Sequence, residues 1–317
     1  MILVNAANGN QGKFLIPRLL RAGATVRACV RSEAAASGLS AAGVAEVVVG
    51  DIGEPDIIAR AVRGVDKVYH VCPTMHPLER EIGFGMIDAA RAEGVKHFVL
   101  GSVLHPHLTA LVQHEIKRDI EEHLIASDLP FTILQPAIYM LPLKLKPAFE
   151  QGRYTVAWSP ERIQSLVDIG DVAEVVAIVL THSDDHLAAT YELSGAERLT
   201  AHDMARIIGA VIGQTIPVEE IDVETFLHAL FGDRDRSSLD HQVRAVRSLN
   251  TCYSAHDFVG NANVLRWLLG REPRTPASRS ATSSVNDKGP RTAMLPSPML
   301  DAFPRPWQAR RGRRPCT

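Results

Sequence analysis

Long apolar runs are missing from this chain of 317 residues. No stretch reaches the roughly 18–20 residues that a bilayer span needs, so a membrane protein is not expected. The opening Met1-Ile-Leu-Val has no basic cluster ahead of an apolar segment, which argues against a signal peptide. Cysteine is scarce: Cys29, Cys72, Cys252 and Cys316 stand apart, with neither pairing nor metal-ligand spacing. That pattern excludes a disulfide scaffold and a zinc module, and a reducing cytoplasm suits it best. No internal repeat is present. Net charge is also small, at −2, but it is unevenly placed. Residues 272–317 hold nine Lys/Arg against three Asp/Glu, and the remainder holds 25 against 33. The basic segment is rich in Pro, Ser and Arg, shows no apolar period, and reads as a disordered tail. The acidic body gives no support for nucleic-acid binding through the fold.

What is present is ample apolar material, 46% of residues, for a large core. In the first half, short Val-rich strands alternate with amphipathic helices. Strands are expected at 1–4, 25–30, 44–49, 67–72, 96–102 and 131–135. Helices are expected at 11–22, from 54–55 onward, and at 78–93 and 109–127. This alternation predicts an α/β fold with a doubly wound parallel sheet, ligands lying at the carboxyl ends of its strands. The second half is less regular. Short strands are expected at 154–158, 164–167 and 190–193, and helices at 168–181, 200–212, 223–230, 237–248 and 261–269. Thr200 and Asp203 are spaced as a capping box. The organisation that follows is a dinucleotide-binding core over 1–137, with later segments such as 164–195 packing back onto it. A smaller mixed α/β substrate or partner domain over 138–271 and the tail at 272–317 complete it.

The most informative segment is the first strand and the turn after it, Asn5-Ala-Ala-Asn-Gly-Asn-Gln-Gly12. Gly9 would let the backbone approach a phosphate, Gly12 would let the helix pack closely on the strand, and first-turn N–H groups would bind the anion. Gly23 is placed to end that helix. About 20 residues past the turn, an acid would bind a ribose 2′-hydroxyl and an arginine a 2′-phosphate. Arg31 occupies that place, so NADP(H) is preferred over NAD(H). The plain alternative is a solvated arginine at a strand end, which also describes Arg27.

Taken in order, several segments resemble the NmrA-like family of atypical short-chain dehydrogenases over about residues 1–272. They are Asn8-Gly-Asn-Gln-Gly12, Val30-Arg-Ser32, Gly50-Asp51, Lys96-His-Phe-Val-Leu-Gly-Ser-Val-Leu-His-Pro106 and His114-Glu-Ile-Lys117. Leu129-Pro-Phe-Thr-Ile-Leu-Gln-Pro136, Val167-Asp-Ile-Gly-Asp-Val-Ala173 and Thr190-Tyr-Glu-Leu-Ser-Gly195 continue the set. Where the family's turn usually opens with glycine, this chain has Ala6. The resemblance implies that Gly9, Asn10, Gln11 and Gly12 cradle the pyrophosphate and that Arg31 contacts the 2′-phosphate. It further implies that Asp51 and Ile52 flank the adenine, Cys72 and Pro73 the adenosine ribose, and Pro136 to Ile138 the nicotinamide end. Asp51 has an alternative role as the N-cap of the next helix.

Ordinary short-chain dehydrogenases place a tyrosine four residues before the lysine that matches Lys117. Here that residue is Gln113, and an amide is no general acid near neutral pH. Ser102 matches the usual serine position. Two functions therefore stay open. In one, the protein binds NADP(H) and reports its redox state to a regulatory protein partner, as some family members do. In the other, it reduces a quinone, dye or similar small substrate, as other members do, with Lys117, His105, Tyr139 or water as proton source. Gln135, Tyr139 and Met140 would line that substrate's pocket. His105 and His107 lack an accompanying Cys or carboxylate cluster, so no metal site is expected; His105 is a candidate proton donor.

Overall fold

The computed structural model describes residues 1–73, 75–140, 148 and 151–278. Seven strands form one wholly parallel sheet: β1 (Ile2–Val4), β2 (Val26–Val30), β3 (Glu46–Val49), β4 (Lys67–Val71), β5 (His97–Gly101), β6 (Phe131–Pro136) and β10 (Ala189–Leu193). Their order is β10-β6-β5-β4-β1-β2-β3. The chain runs outward from β1 in one direction and from β4 in the other. Their boundary is the switch point where a doubly wound sheet opens a crevice.

Period-two alternation divides the core. Ile2 and Val4 face one side with α1 (Gly12–Arg21) and α2 (Glu33–Ala41), joined by a later helix, α6 (Ile169–Thr181). Leu3 faces the other side with α3 (Pro55–Val62), α4 (Glu79–Ala92) and α5 (Val112–Ile125). Burial on both faces explains why these strands read as unbroken apolar runs.

The smaller part holds β7 (Ile138–Tyr139), β9 (Gln164–Val167) and β11 (Arg198–Leu199) in one sheet. A second sheet pairs β8 (Tyr154–Val156) with β12 (Val218–Glu220). Around them lie α7 (Ala201–Ile212), α8 (Val223–Phe231), α9 (Asp240–Ala255) and α10 (Asn263–Leu269). The capping box at α7 is formed as expected, with Thr200 Oγ1 accepting from the Asp203 amide at 3.1 Å and Asp203 Oδ2 from the Thr200 amide at 3.1 Å.

Three local expectations need correction. No helix is expected between β2 and β3, yet α2 forms there, its first turn capped by Ser32, which accepts from the Ala35 amide. The small residues of Glu33–Ala41 give a weak amphipathic pattern but high helix propensity. Helix α9 continues to Ala255, well past residue 248, because Val243, Val246 and Tyr253 continue its buried face. The N-cap of α3 is Glu54; Asp51 instead accepts from the Gly53 amide at 2.9 Å, closing a turn ahead of the helix.

Residues 279–317, most of the expected tail, lie outside the described residues. Its first residues are held on α6. The Arg274 amide donates to Asp171 at 2.6 Å, the Arg274 guanidinium pairs with the same buried carboxylate, and Arg271 reaches Asp171 at 2.8 Å and Glu174 at 2.7 Å.

Two consequences are measurable. Ala6 sits at φ +50°, in the left-handed region that strains any residue with a Cβ. Ala6→Gly should relieve roughly 1–2 kcal/mol of strain and lose part of it to the freer unfolded chain. A net gain of about 0.5–1 kcal/mol in urea denaturation is expected; a loss would contradict the turn geometry. Burial also holds His97 on β5 down at about 4 and His70 on β4 at about 3, with the nearby Lys67 and Lys117 charges adding to the effect. An unfolded histidine takes up its proton near about pH 6.5, so below that pH the unfolded chain binds more protons than the folded one. Stability is therefore complete above about pH 6.5 and should fall from there toward pH 4, by up to ~1.4 kcal/mol per pH unit for each histidine. Urea unfolding at pH 7 and pH 5 should show this, with a shallower slope in His97→Asn.

Candidate functional site

The crevice is built by the ends of β1 and β4. Strand β1 stops at Val4, and Asn5 takes over its pairing with β4 through its side chain. Asn5 Nδ2 donates to the Val71 carbonyl at 2.9 Å, and the Val71 amide donates to Asn5 Oδ1 at 2.7 Å. The turn then folds back on itself, with the Gly9 amide closing it onto the Ala6 carbonyl at 2.8 Å. A Cβ on Gly9 would stand 2.9 Å from that carbonyl oxygen, and one on Gly12 only 2.0 Å from the Ala7 oxygen. Both positions therefore need glycine. Helix α1 begins without a side-chain cap, and among the described residues no acceptor meets the amides of Asn10, Gln11 and Gly12. Free amides at a helix start, with the positive end of its dipole, are the donor set a diphosphate requires. The turn fits a dinucleotide on this ground: residues 10–12 would supply the donors, and Gly9 shapes the loop.

Arg31 follows β2 directly and is exposed. Burial holds His76 below its usual value, and the charges of Asp51, Glu79 and Arg31 all act on it, so these groups lie near one another. Ile52 is buried among Ile57, Ile58 and Ile82 in the α3–α4 core layer. The Cys72 thiol is buried, 2.9 Å from His70 Nε2, and pushed up to about 12 by desolvation, against the pull of the Lys117 charge. It is a packing group at this site rather than a nucleophile. Pro73 follows it, half-buried.

Deeper in, the expected residues fall into three sets. Gln11 bridges two tyrosines: Tyr69 Oη donates to its Oε1, and its Nε2 donates to Tyr139 Oη at 2.5 Å. Burial raises both phenols. Lys117 on α5 forms an ion pair with Glu79 at the start of α4, Nζ to Oε1 2.9 Å, both side chains being buried. Burial opposes the Lys117 charge, but Glu79, with Cys72 and Glu121 behind it, outweighs that and raises the ammonium. The pair is close without being well directed: neither Glu79 oxygen has a hydrogen-bond partner among the described residues. Finally, Ser102 after β5 gives its hydroxyl hydrogen to Glu121, and Gln135 Nε2 donates to the same carboxylate at 2.9 and 3.0 Å.

Pro136 ends β6 and accepts from the Leu104 amide at 2.9 Å; Ile138 opens β7; Met140 is buried and its amide reaches the Val167 carbonyl at 3.0 Å. His105 is engaged with the C-terminal part of the chain. Its Nε2 lies 2.8 Å from the Val259 carbonyl and its ring stands edge-on to Phe258, its centroid 5.4 Å away. No group of three or more His, Cys, Asp or Glu among the described residues could hold a metal.

Sequence reasoning missed Asn5, Glu79 and Glu121. Only Glu121 carried a signal: residues 113, 116, 117, 120, 121 and 124 share the buried face of α5, and an acid on such a face needs a partner.

Comparison with known proteins agrees with this fold. The chain is 31% identical over 236 residues to (4-alkanoyl-5-oxo-2,5-dihydrofuran-3-yl)methyl phosphate reductase of Streptomyces griseus, covering 73% of this chain and 80% of that one. It is 29% identical over 239 residues to the NAD(P)H azoreductase of Xenophilus azovorans, covering 73% and 81%. Among solved structures, the NADPH complex of an Escherichia coli NADPH-dependent quinone oxidoreductase superposes with TM-score 0.76 at 22% identity, over 90% of this chain and all of the other. NmrA, a negative transcriptional regulator in complex with NADP, superposes with TM-score 0.72 at 14% identity, over 90% of this chain and 97% of its own. These structural likenesses show the shared fold. A family model matches residues 1–262, and the chain belongs to the NmrA-like family.

Proposed function

We propose that this protein binds NADP(H) in the switch-point crevice and works through the redox state of that nucleotide. The observation that carries this is the uncapped start of α1, whose amides at residues 10–12 meet no acceptor among the described residues, beside an exposed Arg31. Asn10, Gln11 and Gly12 would hold the diphosphate and Arg31 the 2′-phosphate. Asp51 and Ile52 would flank the adenine, and Cys72 and Pro73 its ribose. Lys117 and the stretch Pro136–Ile138 would meet the nicotinamide half. The nucleotide, when bound, supplies a hydride.

Two uses of that site have support. A reporter role, in which the nucleotide changes contacts with a regulatory protein, draws on Gln113, which stands where a catalytic phenol would, and on Lys117 being held by Glu79. The NmrA fold likeness is consistent with it. A reductase role, acting on a quinone, azo or other small conjugated acceptor, draws on the reductase relatives at 29% and 31% identity. It draws also on Gln135, Tyr139 and Met140, which flank the stretch Pro136–Ile138 along the chain, and on the buried acid that holds Ser102. Calorimetric titration with NADPH and NADP⁺, followed by a screen of quinones and azo dyes for NADPH consumption, separates the two. Discrimination between oxidised and reduced nucleotide without turnover supports the reporter; steady turnover supports the reductase.

The cofactor preference has its own test. Arg31→Ala should weaken NADPH binding by ~1–3 kcal/mol, the scale of a charge-assisted hydrogen bond, and leave NADH nearly unchanged. Equal losses for both would remove the 2′-phosphate assignment.

A further inference from the structure

The set Ser102–Glu121–Gln135 joins three buried polar side chains through hydrogen bonds to one carboxyl. A carboxyl 8% exposed on a helix that also carries the buried Lys117 costs several kcal/mol in desolvation as a charged group. Its position is nonetheless fixed from three sides. Ser102 meets Oε1, Gln135 meets both oxygens, and the α5 backbone sets the rest. Glu121 stands one helical turn after Lys117, whereas the phenol of ordinary short-chain dehydrogenases would stand one turn before it. Ser102, just after β5, and Gln135, next to the last residue of β6, both lie at the carboxyl ends of neighbouring sheet strands, at the ligand edge.

We propose that Glu121 is the proton reservoir of the reductase and delivers its proton through the Ser102 hydroxyl; this rests on the reductase reading above. With Glu121 protonated, Oε1–H donates to Ser102 Oγ, while Oε2 still accepts from Gln135. That frees the Ser102 hydrogen to donate toward an acceptor oxygen or nitrogen. The substrate gains the hydride as its electron pair. The Ser102 O–H bond breaks as its proton passes to the substrate heteroatom, and the Glu121 O–H bond breaks as its proton replaces it on Oγ. Glu121 is left as a carboxylate and recovers a proton from water. Gln135 holds the carboxyl in register at each stage. Glu121 is a positioning and supplying residue; Ser102 is the group that touches substrate.

Burial, the largest influence, raises the Glu121 carboxyl above its ordinary value, and the hydrogen bonds from Ser102 and Gln135 pull the other way. The charged and titratable groups facing it are Lys117 on its own helix, with Glu79 from α4 across that lysine, and His107 from the loop after β5. Both Lys117 and His107 favour the carboxylate, so the raised value reflects burial overcoming them.

The test uses the full chain with Glu121→Gln, which keeps the shape and the contact with Ser102 but holds no acidic proton. In the wild type, kcat should fall as pH rises through the Glu121 titration. In Glu121→Gln it should be lower by about 100-fold, the scale of general acid catalysis, and flat over the same range. KM and NADPH affinity should be nearly unchanged, which also shows that the variant is folded. Ser102→Ala should reproduce the loss in kcat. Independently of turnover, infrared difference spectra of the nucleotide-free protein across the same pH range should contain a protonated-carboxyl band that Glu121→Gln abolishes. A wild type that consumes NADPH while Glu121→Gln keeps its rate and pH profile, or lacks the infrared band change, overturns the relay alone. A wild type that binds NADPH and reduces no acceptor overturns the reductase reading, and the relay with it.

Discussion

The contact on which the site depends is the approach of the first turn of α1 to the end of β1, so close that no atom fits between Gly12 and the Ala7 carbonyl. This seats the helix start directly over the switch point, where Asn5 has drawn β1 and β4 together through both its side-chain amide and its carbonyl. Strand pairing ends at the same place. Among the described residues the amides of residues 10–12 meet no acceptor, and their place at the start of a helix favours an anion. Ala6 adds strain at the head of the turn, in keeping with the tendency of functional turns to hold backbone in sparsely populated regions.

Behind this turn the protein buries charge rather than excluding it. Lys117 and Glu79 neutralise one another out of water, and Glu121 lies one turn further along α5 under a hydroxyl and an amide. Desolvating three ionisable groups so near one another is costly, and hydrophobic replacements would serve the core at least as well. Buried ionisable groups clustered in this way are a frequent feature of functional sites. Cys72 and His70, also buried there, are driven to their neutral forms and contribute packing.

The core of this fold was legible because its signals are local. Strand–helix alternation, the glycines at 9 and 12 and the capping box at Thr200 each act over a few residues, and each is realised in place. Helix α2 escaped notice because alanine-rich segments form helices by propensity without an apolar stripe to announce them. Of the two roles open to Asp51, the helix cap is not realised, since the same side-chain oxygen suits the tight turn before the helix equally well.

From the sequence alone came the parallel α/β core, the family resemblance and the place of the glycine turn after β1, all of which rest on short-range patterns that the backbone must obey. Only tertiary structure decided what the polar residues do. It paired Glu79 with Lys117 from two different helices, gave the Ser102 hydroxyl to Glu121, made Gln11 the bridge between Tyr69 and Tyr139, and turned His105 toward Phe258. Such choices depend on distances across the packed interior, where the cost of an unpartnered charge or hydroxyl selects the partner, and no spacing along the chain encodes them.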